Sequence, residues 1–302
     1  MLKNRTKKSI LFESVTLSKG WSGIFSLSDR CGEKLDIEDW QKSFADVDQI
    51  LESPDKVLKK DGQTSVIVKI LRVGSRKRFF VIKSHRPTGF TGFIRQLFRN
   101  KALRSYKRAV RLHNLGIPVA FPCAAIQKKT GFLAERTLFV TEYMENSVDL
   151  HKFVSKNFSA DSNEAARQHL LKKQIGTQVA RIFADMHRFG LWHRDAKAKN
   201  FLVCPGSDDE DIEVKLVDMD GIKRVFPGYR NRGQLSLAKL ASTLIFTGGI
   251  SDFDYLRSFA IYSNLIKLNR RKSRKLAADL ERKSIGLRLM TLAKSVMKYH
   301  KS

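Results

Sequence analysis

Residues 189–203 read F-G-L-W-H-R-D-A-K-A-K-N-F-L-V and are the most informative part of the chain. It places an acid, a lysine and an amide at Asp195, Lys197 and Asn200. After an acidic turn, the apolar run V-K-L-V ends in a second acid, Asp218. Two carboxylates, an ammonium group and an amide oxygen therefore fall within one short part of the chain.

Phosphoryl transfer from ATP uses groups of these types. Asp195 would orient the attacking hydroxyl and accept its proton, and Lys197 would bind the nucleotide and offset charge on the moving phosphate. Asn200 and Asp218 would hold Mg²⁺. The order H-R-D-x-K-x-x-N, followed by an apolar strand that ends in Asp, matches the catalytic and metal-binding segments of the protein-kinase fold. The alternative is a polar loop between two strands.

Composition limits the class of protein and of partner. The 302 residues are 42% apolar, enough for one two-lobed globular unit or two small domains. Lys and Arg number 57 against 30 Asp and Glu, a net charge of +27. Such a charge implies an anionic partner: nucleic acid, an acidic membrane face or a polyanionic substrate.

Targeting and redox signals favour the cytoplasm. No signal peptide and no apolar run of about 18 residues is visible, so we expect no membrane span. The cysteines Cys31, Cys123 and Cys204 are far apart and lack zinc-site spacing, which fits a reducing compartment.

Residues 64–85 predict a β-hairpin, because a β-branched run and the run R-F-F-V-I-K flank a G-S-R-K turn. Lys83 ends the second run, where the V-A-I-K lysine of kinases binds the α- and β-phosphates. Otherwise it is an ordinary exposed lysine. The phosphate-covering loop should be Lys59–Ser65, but only Gly62 is present there, so a G-x-G-x-x-G loop is absent.

For residues 1–35 we expect loops, with room for a short strand. A helix is predicted from Asp36 and should end before Pro54. Its apolar face comprises Ile37, Trp40, Phe44, Val47, Ile50 and Leu51. Ordinary packing on the neighbouring lobe explains that face.

A basic helix is predicted from about Ile94 to Leu115. Kinases carry in this helix a glutamate that pairs with the strand lysine, but no acid occurs here between Asp61 and Glu135. The charges form either a solvated surface or a docking face for an anion. Two strands should follow around a K-K-T-G turn, and the second ends at Glu142, where backbone groups would meet the adenine edge.

The second half reads as mainly helical. Helices are predicted at 149–156 and 161–188, and residues 222–234 are expected to form a basic loop. Three further helices follow, and the last carries R-R-K-S-R-K at 270–275. A basic amphipathic helix can rest on an anionic bilayer, or can simply have a solvated face.

These elements predict an α+β, two-lobed protein-kinase-like fold with a small antiparallel-sheet N-lobe and a mainly helical C-lobe. We expect an N-terminal extension at 1–56, the N-lobe at 57–147, and the C-lobe with a basic helical tail at 148–302. His193 is expected to pack beneath the catalytic loop. Asp220 is either a second metal ligand or a turn residue, and the turn is the favoured interpretation.

A closer resemblance is to the bacterial lipopolysaccharide core kinases of the Kdo/WaaP family. The similar segments, in family order between about residues 57 and 265, are F-F-V-I-K-S-H-R-P-T, S-Y-K-R-A-V-R-L-H-N-L-G-I-P, L-V-D-M-D-G-I-K-R and Q-L-S-L-A-K-L-A-S-T-L. The resemblance implies ATP, Mg²⁺ and phosphorylation of heptose or Kdo in the inner core. It also implies work at the cytoplasmic face of the inner membrane, as a peripheral protein.

Two positions depart from the family pattern. The helix glutamate falls on Ser105, so the ion pair to Lys83 is lost or made by another acid. The later helix aspartate falls near Ser236, which predicts a weaker tether of the catalytic loop.

Three functions are therefore compared. The first is a lipopolysaccharide core sugar kinase, whose lipid-linked, polyanionic acceptor on an anionic membrane suits the charge. The second is another kinase-fold phosphotransferase. The H-R-D form, rather than H-G-D, argues against small-molecule phosphotransferases, and the lack of an A-P-E segment argues against ordinary protein kinases. The third is a pseudokinase scaffold or basic binder; nucleic acid is disfavoured as a partner because no base-stacking array or nucleic-acid motif is visible.

Overall fold

The structure is a computed structural model that describes residues 9–87, 100–131, 133–158, 165–206, 211–224, 232–245, 247 and 249–299. The chain divides into two compact units, Met1–Met144 and Glu145–Ser302. No helix among the described residues is long and apolar enough to cross a membrane.

The first unit is built on one antiparallel sheet in the order β1-β2-β6-β7-β5-β4-β3. Its strands are β1 (Phe12–Thr16), β2 (Trp21–Ser26), β3 (Lys56–Asp61), β4 (Thr64–Val73), β5 (Arg76–His85), β6 (Pro122–Thr130) and β7 (Leu133–Glu142). The predicted hairpin is confirmed as β4–β5, and the two strands around the K-K-T-G turn are confirmed as β6 and β7.

Residues 1–35 contain more strand structure than expected, because two strands, β1 and β2, extend the sheet beyond β6. Gly23 lies inside β2, where a glycine can mark close backbone approach rather than a turn. A Cβ at Gly23 would lie 2.9 Å from the carbonyl oxygen of Ala125 on β6.

The single helix predicted from Asp36 was also wrong: two short helices form, α1 (Ile37–Ser43) and α2 (Val47–Glu52). Asp46 restarts the helix, because its side chain accepts from the backbone N–H of Gln49 at 3.1 Å as an N-cap. The apolar face is real nevertheless. The Trp40 ring lies 5.4 Å from Phe25 and 5.6 Å from Phe80, centroid to centroid, in the buried core of the unit.

Helix α3 (Lys101–Asn114) packs on β6 and β7. Asn100 caps it, since its Oδ1 accepts from the backbone N–H of Leu103 at 2.9 Å. The predicted start near Ile94 lies outside the described residues. Tyr106 is fully buried beneath the sheet, where its hydroxyl is 2.8 Å from Ser26 Oγ.

The second unit contains two small antiparallel sheets, β11-β10-β8 and β12-β9. Their strands are β8 (Val148–Asp149), β9 (Leu191–His193), β10 (Phe201–Pro205), β11 (Ile212–Leu216) and β12 (Ile222–Arg224). The helices are α4 (Leu150–Asn157), α5 (Ala165–Arg188), α6 (Arg232–Leu244), α7 (Asp252–Leu265) and α8 (Arg270–Tyr299).

These elements confirm the helices predicted at 149–156 and, from Ala165 onward, at 161–188; residues 159–164 lie outside the described part. The reading of 222–234 as a loop was wrong at both ends. Ile222–Arg224 pairs with β9, and α6 already begins at Arg232. A three-residue strand is too short for sequence periodicity to reveal.

The core of the second unit lies under the segment between β9 and β10. Helix α5 buries Leu171, Ile175, Ile182, Phe183 and Met186 at helical spacing. The rings of Phe183 and Phe201 lie 5.7 Å apart, which fixes the start of β10 on this helix. The polar loop that precedes Phe201 is therefore supported by a packed apolar layer.

Candidate active site

The loop between β9 and β10 brings three of the predicted residues together. Lys197 Nζ lies 3.1 Å from Asp195 Oδ1, and both side chains are about half exposed. Asn200 donates from Nδ2 to the backbone carbonyl of Asp195 at 2.7 Å. An exposed carboxylate, an ammonium group and an amide are thus held within one short turn, as phosphoryl transfer requires.

His193 supports this loop from below, as expected. Its side chain is fully buried, and its Nδ1 accepts from the backbone N–H of Asp195 at 3.1 Å. Burial lowers the pKa of His193, an effect that the negative charge of Asp218 opposes. A neutral imidazole is what this arrangement needs, because only an unprotonated Nδ1 can accept a hydrogen bond.

Two hydroxyl groups of helix α6 form hydrogen bonds with the backbone of this loop. Ser236 Oγ accepts from the backbone N–H of His193 at 3.1 Å and donates to its carbonyl at 2.9 Å. Thr243 Oγ1 accepts from the backbone N–H of Ala198 at 3.0 Å. The tether that the sequence predicted to be weak at Ser236 is therefore present and made by a hydroxyl.

A lysine of α6 adds a third attachment. Lys239 Nζ donates to the backbone carbonyl of Arg194 at 2.5 Å. Partial burial lowers the pKa of Lys239, and the nearby charge of Asp195 opposes that shift. Sequence reasoning gave no role to Thr243 or Lys239, although both lie in the segment Q-L-S-L-A-K-L-A-S-T-L. The spacing of polar residues on an otherwise apolar helix was the available signal.

Asp218 follows β11 in a left-handed conformation, with φ 62° and ψ 72°. A non-glycine residue in this region costs of the order of 1–3 kcal/mol and is often found at functional sites. The preceding residue, Val217, donates its backbone N–H to the carbonyl of Asn200 at 2.8 Å. The segment carrying Asp218 is therefore fastened directly to the loop that carries Asn200.

Gly221 completes this attachment. Its carbonyl accepts from the backbone N–H of Arg194 at 2.8 Å. A Cβ at Gly221 would lie 2.2 Å from Cε1 of the His193 ring, so only glycine fits. Asp220 lies in the intervening 3₁₀ turn, as predicted.

The remaining predicted residues lie in the first unit. Lys83 is half-buried in β5, where it is paired with Val66 on β4 and Phe139 on β7. Glu142 ends β7, and its Oε1 lies 3.2 Å from Arg30 Nε. Arg30 was not anticipated, because the segment that bears it carries no recognisable motif.

Ser105, at the position of the missing glutamate, is buried on α3. The same helix contacts β5 through Lys101, whose Nζ lies 2.9 Å from Nε2 of His85. His85 lies two residues after Lys83 on this strand. The ring's Nδ1 lies 3.4 Å from Thr64 Oγ1 on β4. A lysine–histidine contact thus connects this helix to the strand of Lys83.

Comparison with known proteins identifies the family. The model of the lipopolysaccharide kinase (Kdo/WaaP) family matches residues 91–262, more than half of the chain. The chain belongs to this family.

Two curated relatives are lipopolysaccharide core heptose(I) kinases named WaaP. The protein from Pseudomonas aeruginosa PAO1 is 29% identical over 157 residues, which cover 49% of this chain and 56% of the relative. The Escherichia coli protein is 22% identical over 237 residues, covering 75% of this chain and 86% of the relative. The chain thus spans little more than half the length of the first relative.

A solved structure, described as WaaP in complex with acyl carrier protein, has the same fold. It superposes with a TM-score of 0.58 at 22% identity, and the match covers 84% of this chain and 97% of that one. The fold of this Kdo/WaaP family member is therefore α+β and protein-kinase-like, as predicted.

The oxygen donors of this family member fit Mg²⁺ bound with a nucleotide. The described residues contain no cluster of three or more His, Cys, Asp or Glu side chains. Mg²⁺ in kinases needs no such cage, because one or two protein oxygens act together with phosphates and water. The Nδ2 of Asn200 donates to the carbonyl of Asp195, so the side-chain oxygen Oδ1 is the Asn200 atom suited to coordinate Mg²⁺, beside the segment of Asp218.

Proposed function

We propose that this protein is an ATP-dependent kinase that phosphorylates a sugar hydroxyl, on heptose or Kdo, of the lipopolysaccharide inner core. Family membership supports the acceptor class, and both curated relatives are named as core heptose kinases. The observation that carries the chemistry is the loop in which Asp195, Lys197 and Asn200 contact one another.

In this mechanism, Asp195 orients the sugar hydroxyl and accepts its proton as the oxygen attacks the γ-phosphorus of ATP. The new O–P bond forms, the bond to the β-phosphate oxygen breaks, and ADP leaves with the electron pair. Lys197 offsets negative charge on the transferred group.

The proposed nucleotide contacts are those predicted from the sequence. Lys83 contacts the α- and β-phosphates, and backbone groups at Glu142 meet the adenine edge. Asn200 and Asp218 hold Mg²⁺, which, when bound, neutralises charge on the phosphates. The rigid attachment of Val217 to Asn200 keeps these two donors in a fixed relation.

The acceptor and the place of action follow from the same proposal. A lipid-linked core acceptor is polyanionic and lies in an anionic membrane, which suits a net charge of +27. The protein then acts as a peripheral enzyme at the cytoplasmic face of the inner membrane.

The test is phosphate transfer from γ-labelled ATP with Mg²⁺, with dephosphorylated core lipopolysaccharide and a generic protein offered as competing acceptors. We expect label on the glycolipid, lost by several orders of magnitude in Asp195→Asn while a fluorescent ATP analogue still binds. Asp185→Asn is the matched control, because Asp185 pairs with Arg188 on the surface of α5.

Each other outcome identifies a competitor. Label on the protein acceptor alone favours a protein kinase. No transfer to any acceptor, with ATP binding retained, favours a pseudokinase scaffold. Nucleic-acid binding that falls steeply with salt, together with no transfer, favours a basic binder.

A further inference from the structure

Helix α8 presents one continuous exposed stripe. The residues share a spacing of four and three along the helix, so they lie on one face. They are Arg271, Lys275, Ala278, Arg282, Ile285, Leu289 and Leu292, and all are exposed. We refer to these seven residues as the α8 stripe.

The opposite face of α8 is the one that packs in the fold. Leu276 and Ser284 are buried there, and α8 lies mainly against α6. The α8 stripe is therefore not needed for the packing of this helix in the part of the chain that the structure describes.

The two halves of the α8 stripe differ in chemistry. The first half is basic and the second is apolar: Ile285, Leu289 and Leu292 have 43%, 58% and 42% of their surface exposed. The sequence from Arg282 to the last residue contains six Lys or Arg and no Asp or Glu. Exposed leucines in so basic a setting suit a partner that is both anionic and apolar.

We propose that the α8 stripe docks the protein on an anionic lipid bilayer. The apolar half enters the boundary between headgroups and acyl chains, and the basic half contacts lipid phosphates. This inference rests on the proposed function, because it names the surface by which the kinase reaches a membrane-held acceptor. A second copy of the chain is disfavoured as the occupant, since it would bring like charges together on a molecule with a net charge of +27.

The experiment is co-sedimentation of the full chain with vesicles of pure phosphatidylcholine or of equal parts phosphatidylcholine and phosphatidylglycerol. We expect binding to the anionic vesicles only. A triple variant, Ile285→Ser, Leu289→Ser and Leu292→Ser, retains every charge and should lose at least tenfold in affinity. Its control, Phe253→Ser with Leu256→Ser, removes exposed apolar residues of α7 and should bind like the unaltered protein.

The basic half is tested separately. Arg271→Gln, Lys275→Gln and Arg282→Gln together should weaken binding about a hundredfold at low salt, since each basic group near the surface contributes about fivefold. The control removes the same charge elsewhere, with Lys42→Gln, Lys152→Gln and Lys156→Gln, all at exposed positions. It should have a much smaller effect.

Three results would overturn the proposal. The first is unaltered vesicle binding by the apolar variant, which would show general adsorption of a basic protein. The second is a dimer that dissociates in that variant, which would make the stripe an interface between copies. The third is no vesicle binding but stripe-dependent binding of acyl carrier protein.

Failure of the kinase proposal is distinguished by a separate assay, phosphate transfer to a deacylated, soluble core oligosaccharide. That reaction needs no bilayer, and the α8 variants should perform it like the unaltered protein.

Discussion

The hydroxyl of Ser236 satisfies both backbone polar groups of His193, accepting from its N–H and donating to its carbonyl. Both residues are fully buried, so no solvent can replace these bonds. A hydroxyl suits the position because it both donates and accepts, whereas an ionised carboxylate only accepts. A serine therefore anchors the candidate catalytic loop, at a position where the sequence resemblance predicted an acid in the family.

We predict that Ser236→Ala lowers the free energy of unfolding by about 1–3 kcal/mol, because two buried backbone groups lose their partner. It should also lower kcat more than it changes KM for ATP, since the loop that carries Asp195 loosens. Urea unfolding and steady-state kinetics measure the two effects. Ser242→Ala on the same helix is the control, because Ser242 Oγ donates only within its own helix, to the carbonyl of Lys239.

Gly221→Ala should impair the site through a steric clash rather than through backbone strain. The new methyl group would overlap the His193 ring, and displacing that ring removes the acceptor for the backbone N–H of Asp195. We expect a loss of about 1–3 kcal/mol in stability, as for other overpacked sites, together with reduced transfer.

The matched control for this substitution is Gly286→Ala, which adds the same methyl group into open space on α8. It should be neutral or stabilise the protein by up to about 1 kcal/mol. Equal behaviour of the two alanine variants would contradict the role given to Gly221.

The contact between Lys101 and His85 is expected to position the strand of Lys83. Lys101→Met should reduce kcat/KM for ATP about tenfold or more, the usual effect of losing a hydrogen bond to a charged group. His85→Gln should retain much of the activity, because its side-chain oxygen can replace Nε2 as the acceptor, whereas His85→Leu should not.

Lys107→Met serves as the control for these variants, since Lys107 is exposed on the same helix. If Lys101→Met left the kinetics for ATP unchanged, the lysine–histidine contact would be structural only.

His187 is expected to make stability depend on pH. Burial between α5 and α7 lowers its pKa to about 4, and its Nδ1 is 2.8 Å from the Tyr262 hydroxyl. An unfolded chain binds the proton with a pKa of about 6.5. The stabilisation is therefore complete above pH 6.5 and is lost as pH falls towards 4, by about 3 kcal/mol in all.

His187→Asn removes this titration and keeps an acceptor near the position of Nδ1. Unfolding curves at several pH values should show a flatter dependence between pH 4 and 6.5 for this variant. His169→Asn, at an exposed position, should leave the dependence as it was.

Local sequence signals predicted the elements with strong patterns. The β4–β5 hairpin and helix α5 have long, regular apolar spacing, which short-range preferences are sufficient to specify. The candidate loop could be picked out from the sequence because Asp195, Lys197 and Asn200 lie within six positions and their types fit the proposed chemistry. The secondary-structure predictions failed where the conformation of a segment depends on residues distant in sequence. One example is β2, which forms a strand because it pairs with β6.

The amino-acid sequence alone shows which chemical groups are present and in what order: Asp195, Lys197, Asn200 and Asp218, with no acid from residue 62 to 134. The contacts that hold these groups in place are visible only in the folded chain. Ser236 lies 43 residues from His193 along the chain, and no local pattern encodes their contact. The same is true of Lys101 and His85, because such contacts depend on how packed helices and strands bring distant side chains together.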